Sequence, residues 1–201
     1  MTQTAVDLDV AVPARRIPGE EGIWVFVIGD MTVFALFFGV FMYTRGHDPA
    51  AFTPGQPGLD RTLGAINTVL LLTGSLLAVL GVRACRTAPA RTRMALFLSA
   101  AACAAGFVVI KAVEWSHQFA AGHTVGTNDF YSYYFVFTGI HLLHVLIGII
   151  VLLRIAFVVR KETLESRDHV LAESGGIFWH MVDLLWIVLF ALFYLMHNGV
   201  S

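Results

Sequence analysis

Five long, continuous apolar runs constrain this chain more than any other feature. They cover about residues 22–43, 63–82, 94–115, 130–159 and 175–197. A membrane-spanning helix needs about 20 mostly apolar residues, and each run is long enough. The runs are continuous rather than alternating, which argues against the strands of a membrane barrel. We therefore predict an all-α polytopic membrane protein, a bundle of five transmembrane helices.

The composition agrees with this fold and excludes other classes of protein. Of the 201 residues, 57% are hydrophobic and 13% are charged, whereas soluble domains carry about 25% charged residues. So little charge cannot cover a surface that faces water. The formal net charge is −1 and the chain has no long basic cluster, so we expect no nucleic-acid partner.

The distribution of basic residues predicts the orientation in the membrane. We expect residues 1–21 to be a flexible cytoplasmic tail and residues 22–201 to be a single membrane domain. The tail and the second and fourth connections carry most of the Lys and Arg residues, namely Arg15, Arg16, Arg83, Arg86, Arg91, Arg93, Arg160, Lys161 and Arg167. The first loop carries only Arg45 and Arg61, and residues 116–129 carry none. The positive-inside rule then places the N-terminus in the cytoplasm and the C-terminus outside.

Polar side chains inside the predicted spans are the candidate functional residues, because such groups are costly in lipid and usually face the bundle interior. At about 1.5 Å of rise per residue they fall into two layers. The inner layer contains Asp30, His144, His180 and Asp183, the outer layer contains Asn67, Lys111 and Glu114, and His141 lies between them. These residues form either a structural network, with Lys111 and Glu114 as a neutralised pair, or a proton relay or lipid head-group site.

Metal and haem sites are not required by these residues. The spacing Glu114-x-x-His117 occurs in di-iron bundles, but such sites need the motif twice with further carboxylates at the same depth. His144, His180 and an aspartate could share one metal, yet nothing in their spacing demands it. Histidines three residues apart on one helix point the same way and cannot clasp a haem. We predict no catalytic residue and no metal ligand in this chain, and we expect its tryptophans to be mostly lipid-facing or interfacial.

Four segments carry a resemblance to a known family. Residues 178–186 (FWHMVDLLW) resemble the last-helix signature of heme–copper oxidase subunit III. Residues 138–148 (TGIHLLHVLIG), 111–115 (KAVEW) and 67–75 (NTVLLLTGS) are similar to three other helices of that family. They occur in the family's order. With five spans rather than seven, the chain looks like the short bacterial form that lacks the two leading helices.

One departure bears on the partner complex. The first span carries Gly29–Asp30, where typical oxidase subunits of the family have a Ser–Glu pair. Gly–Asp is more similar to the NorE-like branch that is associated with nitric oxide reductase.

The resemblance implies a non-redox accessory subunit in the bacterial cytoplasmic membrane. Its expected partners are subunits I and II, which hold the haem and copper, and phospholipid, which lies in a cleft of subunit III. Its implied role is to support proton uptake and the stability of subunit I, in a cytochrome c oxidase or in a nitric oxide reductase. Two other classes stay open, an independent membrane metalloenzyme and a proton or ion transporter. Broken helices at mid-membrane would favour the transporter.

Overall fold

The computed structural model describes residues 17–47 and 59–196, and every regular element in these two ranges is helical. In chain order the helices are α1 (Glu21–His47), α2 (Arg61–Thr87), α3 (Ala90–Ala120), α4 (Asp129–Val158) and α5 (Ser166–Phe190), which continues into a π-helical turn at Ala191–Leu195. All five are long and apolar enough to cross a membrane. The predicted all-α fold with five spanning helices is confirmed.

The helices extend beyond the apolar runs because local capping, rather than hydrophobicity, fixes their ends. Asp60 accepts hydrogen bonds from the amides of Thr62 and Leu63 before α2, and Asn128 accepts one from Tyr131 in α4. Such caps satisfy the free amides of a first helical turn. At the start of α5 the side chain of Asp168 accepts a hydrogen bond from the amide of Glu165 (3.0 Å), and this helix begins at residue 166 rather than 175. Residues 1–16 of the predicted tail, residues 48–58 of the first loop and the predicted end of the fifth span at residue 197 lie outside the described ranges.

Successive helices run in opposite directions, and contacts at both ends of the bundle show this. We call the end that carries the start of α1 the inner end and the opposite end the outer end. At the inner end Glu173 of α5 accepts a hydrogen bond from the amide of Gly19 (3.0 Å) and pairs with Arg86 of α2 (3.0 Å). At the outer end Arg45 of α1 donates to the carbonyl of Met196 (3.1 Å). Which end faces the cytoplasm stays a prediction.

Helix α5 is the centre of the bundle. It packs against α1, α2 and α4, while α3 packs against α2 and α4. The outer helices therefore follow one another around α5 in the order α1, α4, α3, α2. The circle is open between α1 and α2, which follow each other in sequence and hardly touch.

Close helix packing depends on small residues opposite large aromatic ones, as in many membrane bundles. A Cβ atom added to Gly148 of α4 would lie 2.7 Å from the Trp179 ring of α5, and one added to Gly81 would lie 2.9 Å from Phe97. Trp179 and Trp186 are fully buried. The expectation that the tryptophans are mostly lipid-facing or interfacial is therefore wrong for these two. Gly148 makes room for the ring of Trp179, and Trp186 packs against the rings of Phe107 and His141.

Candidate functional site

A buried polar cluster joins three helices near the outer end of the bundle. Lys111 and Glu114 of α3 are almost fully buried, with side chains 1% and 2% exposed, and their Nζ and Oε2 atoms are 3.1 Å apart. The Tyr134 hydroxyl of α4 donates to Glu114 Oε1 (2.6 Å), and the Tyr194 hydroxyl from the end of α5 donates to the same oxygen. Lys111 Nζ also donates to the Tyr194 hydroxyl (2.8 Å). The carboxylate thus has three donors, one from each helix.

Aromatic rings complete the surroundings of the buried ammonium group. Lys111 Nζ lies 4.8 Å from the ring centre of Trp186, 5.2 Å from that of Tyr134 and 5.3 Å from that of Tyr194. Cations are attracted to the faces of such rings, more strongly where water is excluded. The charge of Lys111 is therefore balanced by one carboxylate and by ring electrons. Because these groups lie on α3, α4 and α5, the cluster holds the three helices together.

The two tyrosines of this cluster were not predicted from the sequence. Both lie inside apolar runs and carry no charge, so the sequence does not distinguish them from the aromatic residues around them. Their position along the helices was the available signal. Tyr134 is one turn from the outer start of α4, and Tyr194 is near the outer end of α5, at the level of Lys111 and Glu114. Buried hydroxyls need partners as amides do.

A second pair links α1 to α4. His144 Nε2 lies 3.3 Å from Asp30 Oδ1, and His144 Nδ1 lies 2.9 Å from the carbonyl oxygen of Ile140. Because a carbonyl only accepts hydrogen bonds, Nδ1 must carry a proton. Nε2 and the carboxylate of Asp30 attract each other as an ion pair only when the second ring nitrogen is protonated as well. The two side chains therefore form a polar contact between α1 and α4.

A third group lies between α2 and α5. His180 Nδ1 is 2.5 Å from Ser75 Oγ and 3.6 Å from Asp183 Oδ2. The serine on the neighbouring helix, which ends the segment NTVLLLTGS, is thus nearer to the imidazole than the carboxylate on its own helix; its contact with His180 was not predicted. The side chain of His180 is 43% exposed, so this imidazole also forms part of the outer surface of the bundle.

Asn67 and His141 are fully buried, and the polar atoms of their side chains have no hydrogen-bond partner in the described part of the chain. His141 lies against the rings of Phe107 and Trp186, with ring centres 5.6 and 5.4 Å away. Beside Asn67, Thr68 accepts a hydrogen bond from Trp186 Nε1 (3.0 Å). Neither predicted residue joins the Lys111–Glu114 cluster through a hydrogen bond.

The structure therefore brings the predicted residues together in pairs rather than in two continuous layers. No hydrogen bond or ion pair among the described residues connects Asp30 and His144 with His180 and Asp183. The reason is geometric, since α1 and α2 contact different sides of α5. Depth along the membrane says which residues lie at one level, but it does not say which side of a helix they occupy.

None of these groups forms a metal centre. Within residues 17–47 and 59–196, no group of three or more His, Cys, Asp or Glu side chains is placed to hold a metal ion. The spacing Glu114-x-x-His117 is present, but the Glu114 oxygens accept hydrogen bonds from Lys111 and two tyrosines.

A basic groove of about 550 Å³ opens at the inner end, between α4, α5 and the start of α1. Its basic residues are Arg154, Lys161 and Arg167, and two acidic residues, Glu20 and Asp168, also line it. Lys161 pairs with Asp168 (3.3 Å) and Arg167 with Glu165 (2.8 Å). Arg154 is exposed on the apolar part of α4 and makes no ion pair with any described residue. A basic pocket at this level suits an anionic head group.

Comparisons with known proteins agree with the resemblance in the sequence. The family model for cytochrome c oxidase subunit III matches residues 19–198. A cytochrome c oxidase subunit 3 from Synechocystis sp. is 31% identical over 176 residues, which are 87% of this chain and 74% of that protein. A quinol oxidase subunit 3 from Bacillus spizizenii is 28% identical over 178 residues, 89% of this chain and 87% of that protein.

A fused protein is also similar. The heme–copper oxidase subunit I+III of Aeropyrum pernix is 28% identical over 182 residues, which are 87% of this chain. The matched region is only 22% of the length of that fused protein.

Proposed function

The chain belongs to the cytochrome c oxidase subunit III family, and from that membership we propose that it is the accessory subunit of a respiratory heme–copper oxidase, where it stabilises subunit I. The haem and copper that carry the redox chemistry reside in subunits I and II. The complex lies in the bacterial cytoplasmic membrane and belongs to an aerobic electron transport chain.

One observation carries the accessory role, namely how the chain uses its buried charges. Lys111 and Glu114 are closed off from the surface by two tyrosines and a tryptophan. A proton path or a redox centre needs groups that protons, substrate or a cofactor can reach. This cluster instead joins α3, α4 and α5, as expected of a scaffold.

The pair of Asp30 and His144 supports a structural role for this chain, which would assist proton uptake by the complex without carrying the protons itself. It links α1 to α4 through a contact of 3.3 Å, and the second carboxyl oxygen of Asp30 is buried without a partner among the described residues. We propose that the pair holds α1 in place and shapes the nearby surface for lipid, rather than carrying protons through this chain.

The basic groove at the inner end is the proposed lipid site. Arg154 lies about one turn before the inner end of α4, without an ion pair to any described residue. The phosphate of an anionic phospholipid would supply the missing counter-charge, and Lys161 and Arg167 lie at the same groove. A basic residue near the membrane surface contributes about 1 kcal/mol to binding anionic lipid.

This lipid site makes a direct prediction. Replacing Arg154 by Gln should reduce the anionic phospholipid that copurifies with the complex about fivefold, since about 1 kcal/mol corresponds to that ratio. Lipid mass spectrometry of the purified complex measures it. The matched control is Arg91→Gln, which removes an exposed arginine of α3 that does not line the groove. Equal lipid content in both variants would contradict the site.

Copurification tests the function as a whole. The tagged chain, isolated gently from its native membrane, should carry haem-bearing subunits, and the purified lone chain should show no haem absorption and no stoichiometric iron or copper. A full equivalent of metal that the lone chain retains, and loses when His144 or His180 is replaced, would show that the accessory role is wrong.

Asp30 favours a second candidate partner, a nitric oxide reductase. The aspartate stands where typical oxidase subunits have glutamate, and its carboxyl group still reaches His144 at 3.3 Å. Measuring the consumption of oxygen and of nitric oxide by the copurified complex distinguishes the two partners.

A further inference from the structure

Helix α5 is covered on most sides but exposes one stripe in the gap between α1 and α2. The stripe consists of Glu173, Ile177, His180, Leu184 and Ile187, at alternating spacings of four and three residues. Leu184 and Ile187 are 45% and 38% exposed. We call the gap with this stripe as its floor the α5 groove.

The inner part of the α5 groove has walls from two helices. A cavity of about 200 Å³ is bounded by Val79, Val82 and Arg83 of α2 and by Ile177 and His180 of α5. It shares Val82 and Arg83 with a neighbouring cavity of about 480 Å³ that reaches Arg86. The two cavities follow α5 from Glu173 to His180, and Leu184 and Ile187 continue the same exposed stripe. The spacing of about 3.5 residues along the stripe is that of a helix–helix seam.

The imidazole of His180 indicates which kind of partner the groove can bind. Exposed leucine and isoleucine suit lipid tails as well as protein, so they alone indicate no partner. The imidazole differs because Nδ1 contacts Ser75 (2.5 Å), whereas Nε2 has no hydrogen-bond partner in residues 17–47 or 59–196. His180 lies seven residues beyond Glu173, about 10 Å deeper into the membrane. Lipid tails offer no hydrogen bond at that depth, and an unpaired polar group there is costly.

We propose that one transmembrane helix of the haem-bearing subunit I lies in the α5 groove and offers a hydrogen-bonding group to His180 Nε2. This inference rests on the proposed function and adds the docking face. A helix fits because it fills an elongated groove and supplies a polar side chain at a fixed depth. The fused subunit I+III of Aeropyrum pernix holds both kinds of subunit in one chain, so a face for subunit I is expected on this bundle.

Photo-crosslinking in the intact complex tests the face. A photoreactive phenylalanine analogue at Leu184 or Ile187, both in the groove, should crosslink to subunit I in native membranes. The matched controls are Val109 of α3 and Ile150 of α4, which are 63% and 66% exposed on other sides of the bundle. They should crosslink to lipid. Crosslinks from the groove to lipid alone, or to a second copy of this chain, would overturn the proposal.

Two substitutions separate contact with a partner from internal packing. His180→Leu removes the group that faces the partner, and Ser75→Ala removes one internal contact of the same imidazole, which keeps Asp183 3.6 Å away. His180→Leu should lower the retention of the chain on subunit I in detergent about threefold, which is the ratio for an average interhelical hydrogen bond in a membrane. Ser75→Ala should leave retention unchanged, and His180→Gln should restore most of it. Equal retention of the Leu and Ala variants would overturn the proposal.

The failure of this inference is distinguishable from the failure of the proposed function. If haem-bearing subunits copurify but crosslink only from Val109 or Ile150, the accessory function stands and the docking face is wrong. If none copurify from native membranes, the proposed function itself fails.

Discussion

Three helices of the bundle converge on Glu114. Its two carboxyl oxygens accept from Lys111 on its own helix and from Tyr134 and Tyr194 on the two neighbouring helices. Removing one partner of such a buried pair leaves the other charge uncompensated, which costs more than the pair contributes.

Lys111→Met should therefore lower the free energy of unfolding by about 3–5 kcal/mol. The double variant Lys111→Met/Glu114→Gln should be less destabilised than Lys111→Met, because no lone charge remains and both tyrosines can still donate to the glutamine oxygen. Denaturation in mixed detergent is measured for the unaltered chain, for Lys111→Met, for Glu114→Gln and for the double variant. Additive losses in the double variant would mean that the two residues act independently.

Two substitutions of Asp30 test whether its contact with His144 is structural or transfers protons. In Asp30→Asn the amide nitrogen can donate to the unprotonated Nε2 of His144, so assembly should remain intact and turnover of the complex should fall only modestly. Asp30→Leu removes the link between α1 and α4 and should weaken retention of the subunit or its lipid. Turnover and lipid content of the purified complex are the measurements. Loss of turnover in a fully assembled, lipid-replete Asp30→Asn complex would instead indicate proton transfer.

Residue pairs were predictable from the sequence only where they lie on one helix. The spacing of Lys111 and Glu114 was sufficient for their contact, because residues three apart share a helix face. The contacts of His144 with Asp30 and of His180 with Ser75 depend on how two helices are rotated about their axes. Five helices that are apolar on most sides give little sequence information about that rotation.

At the scale of whole elements, α4 packs closely against α5 because Gly148 has no side chain. The ring of Trp179 occupies the space over Gly148, and the nearest ring atoms are 2.7 Å from the position of a Cβ atom. No helix described here is interrupted at mid-membrane, since the one irregular turn, Ala191–Leu195, lies at the outer end of α5. Transporter sites typically use helices broken near the bilayer midplane.

Gly148→Ala should destabilise the bundle by about 1–3 kcal/mol, the usual cost of overpacking a well-filled core. Gly139→Ala is the matched control on the same helix, because its new Cβ would meet only Trp115, at an ordinary 3.6 Å. The control should leave stability unchanged or raise it slightly, since alanine favours helix over glycine. The melting temperatures of both variants, measured by thermal unfolding, test this prediction. Equal melting temperatures would show that α4 can shift to accommodate the methyl group.

At the scale of the whole molecule, the number of helices was predictable because length and apolarity alone determine a span. Their arrangement around α5 was not, since every run is apolar enough to face either lipid or protein. The exposed and buried sides of α5 became distinguishable only once its neighbours were placed. The orientation in the membrane rests on the positions of basic residues and is open to direct measurement.

Reporter fusions after Arg93 and Arg167 should be active in the cytoplasm, and fusions after His123 and at the C-terminus should report the outside. The reason is that basic connections are retained on the cytoplasmic side. Alkaline phosphatase and green fluorescent protein fusions give complementary readouts. The same location for the fusions after residues 93 and 123 would contradict the third span, and with it the alternation of the five helices.

The central position of α5 has a consequence for synthesis on the ribosome. The helix around which the others gather is the last of the five to leave the translocon, about 145 residues after α1, or on the order of ten seconds at common elongation rates. Until then the faces of the earlier helices that pack against α5, including the one with Gly148, are exposed to lipid. A ribosome that stalls before α5 therefore leaves a product without a centre, a natural substrate for membrane quality-control proteases.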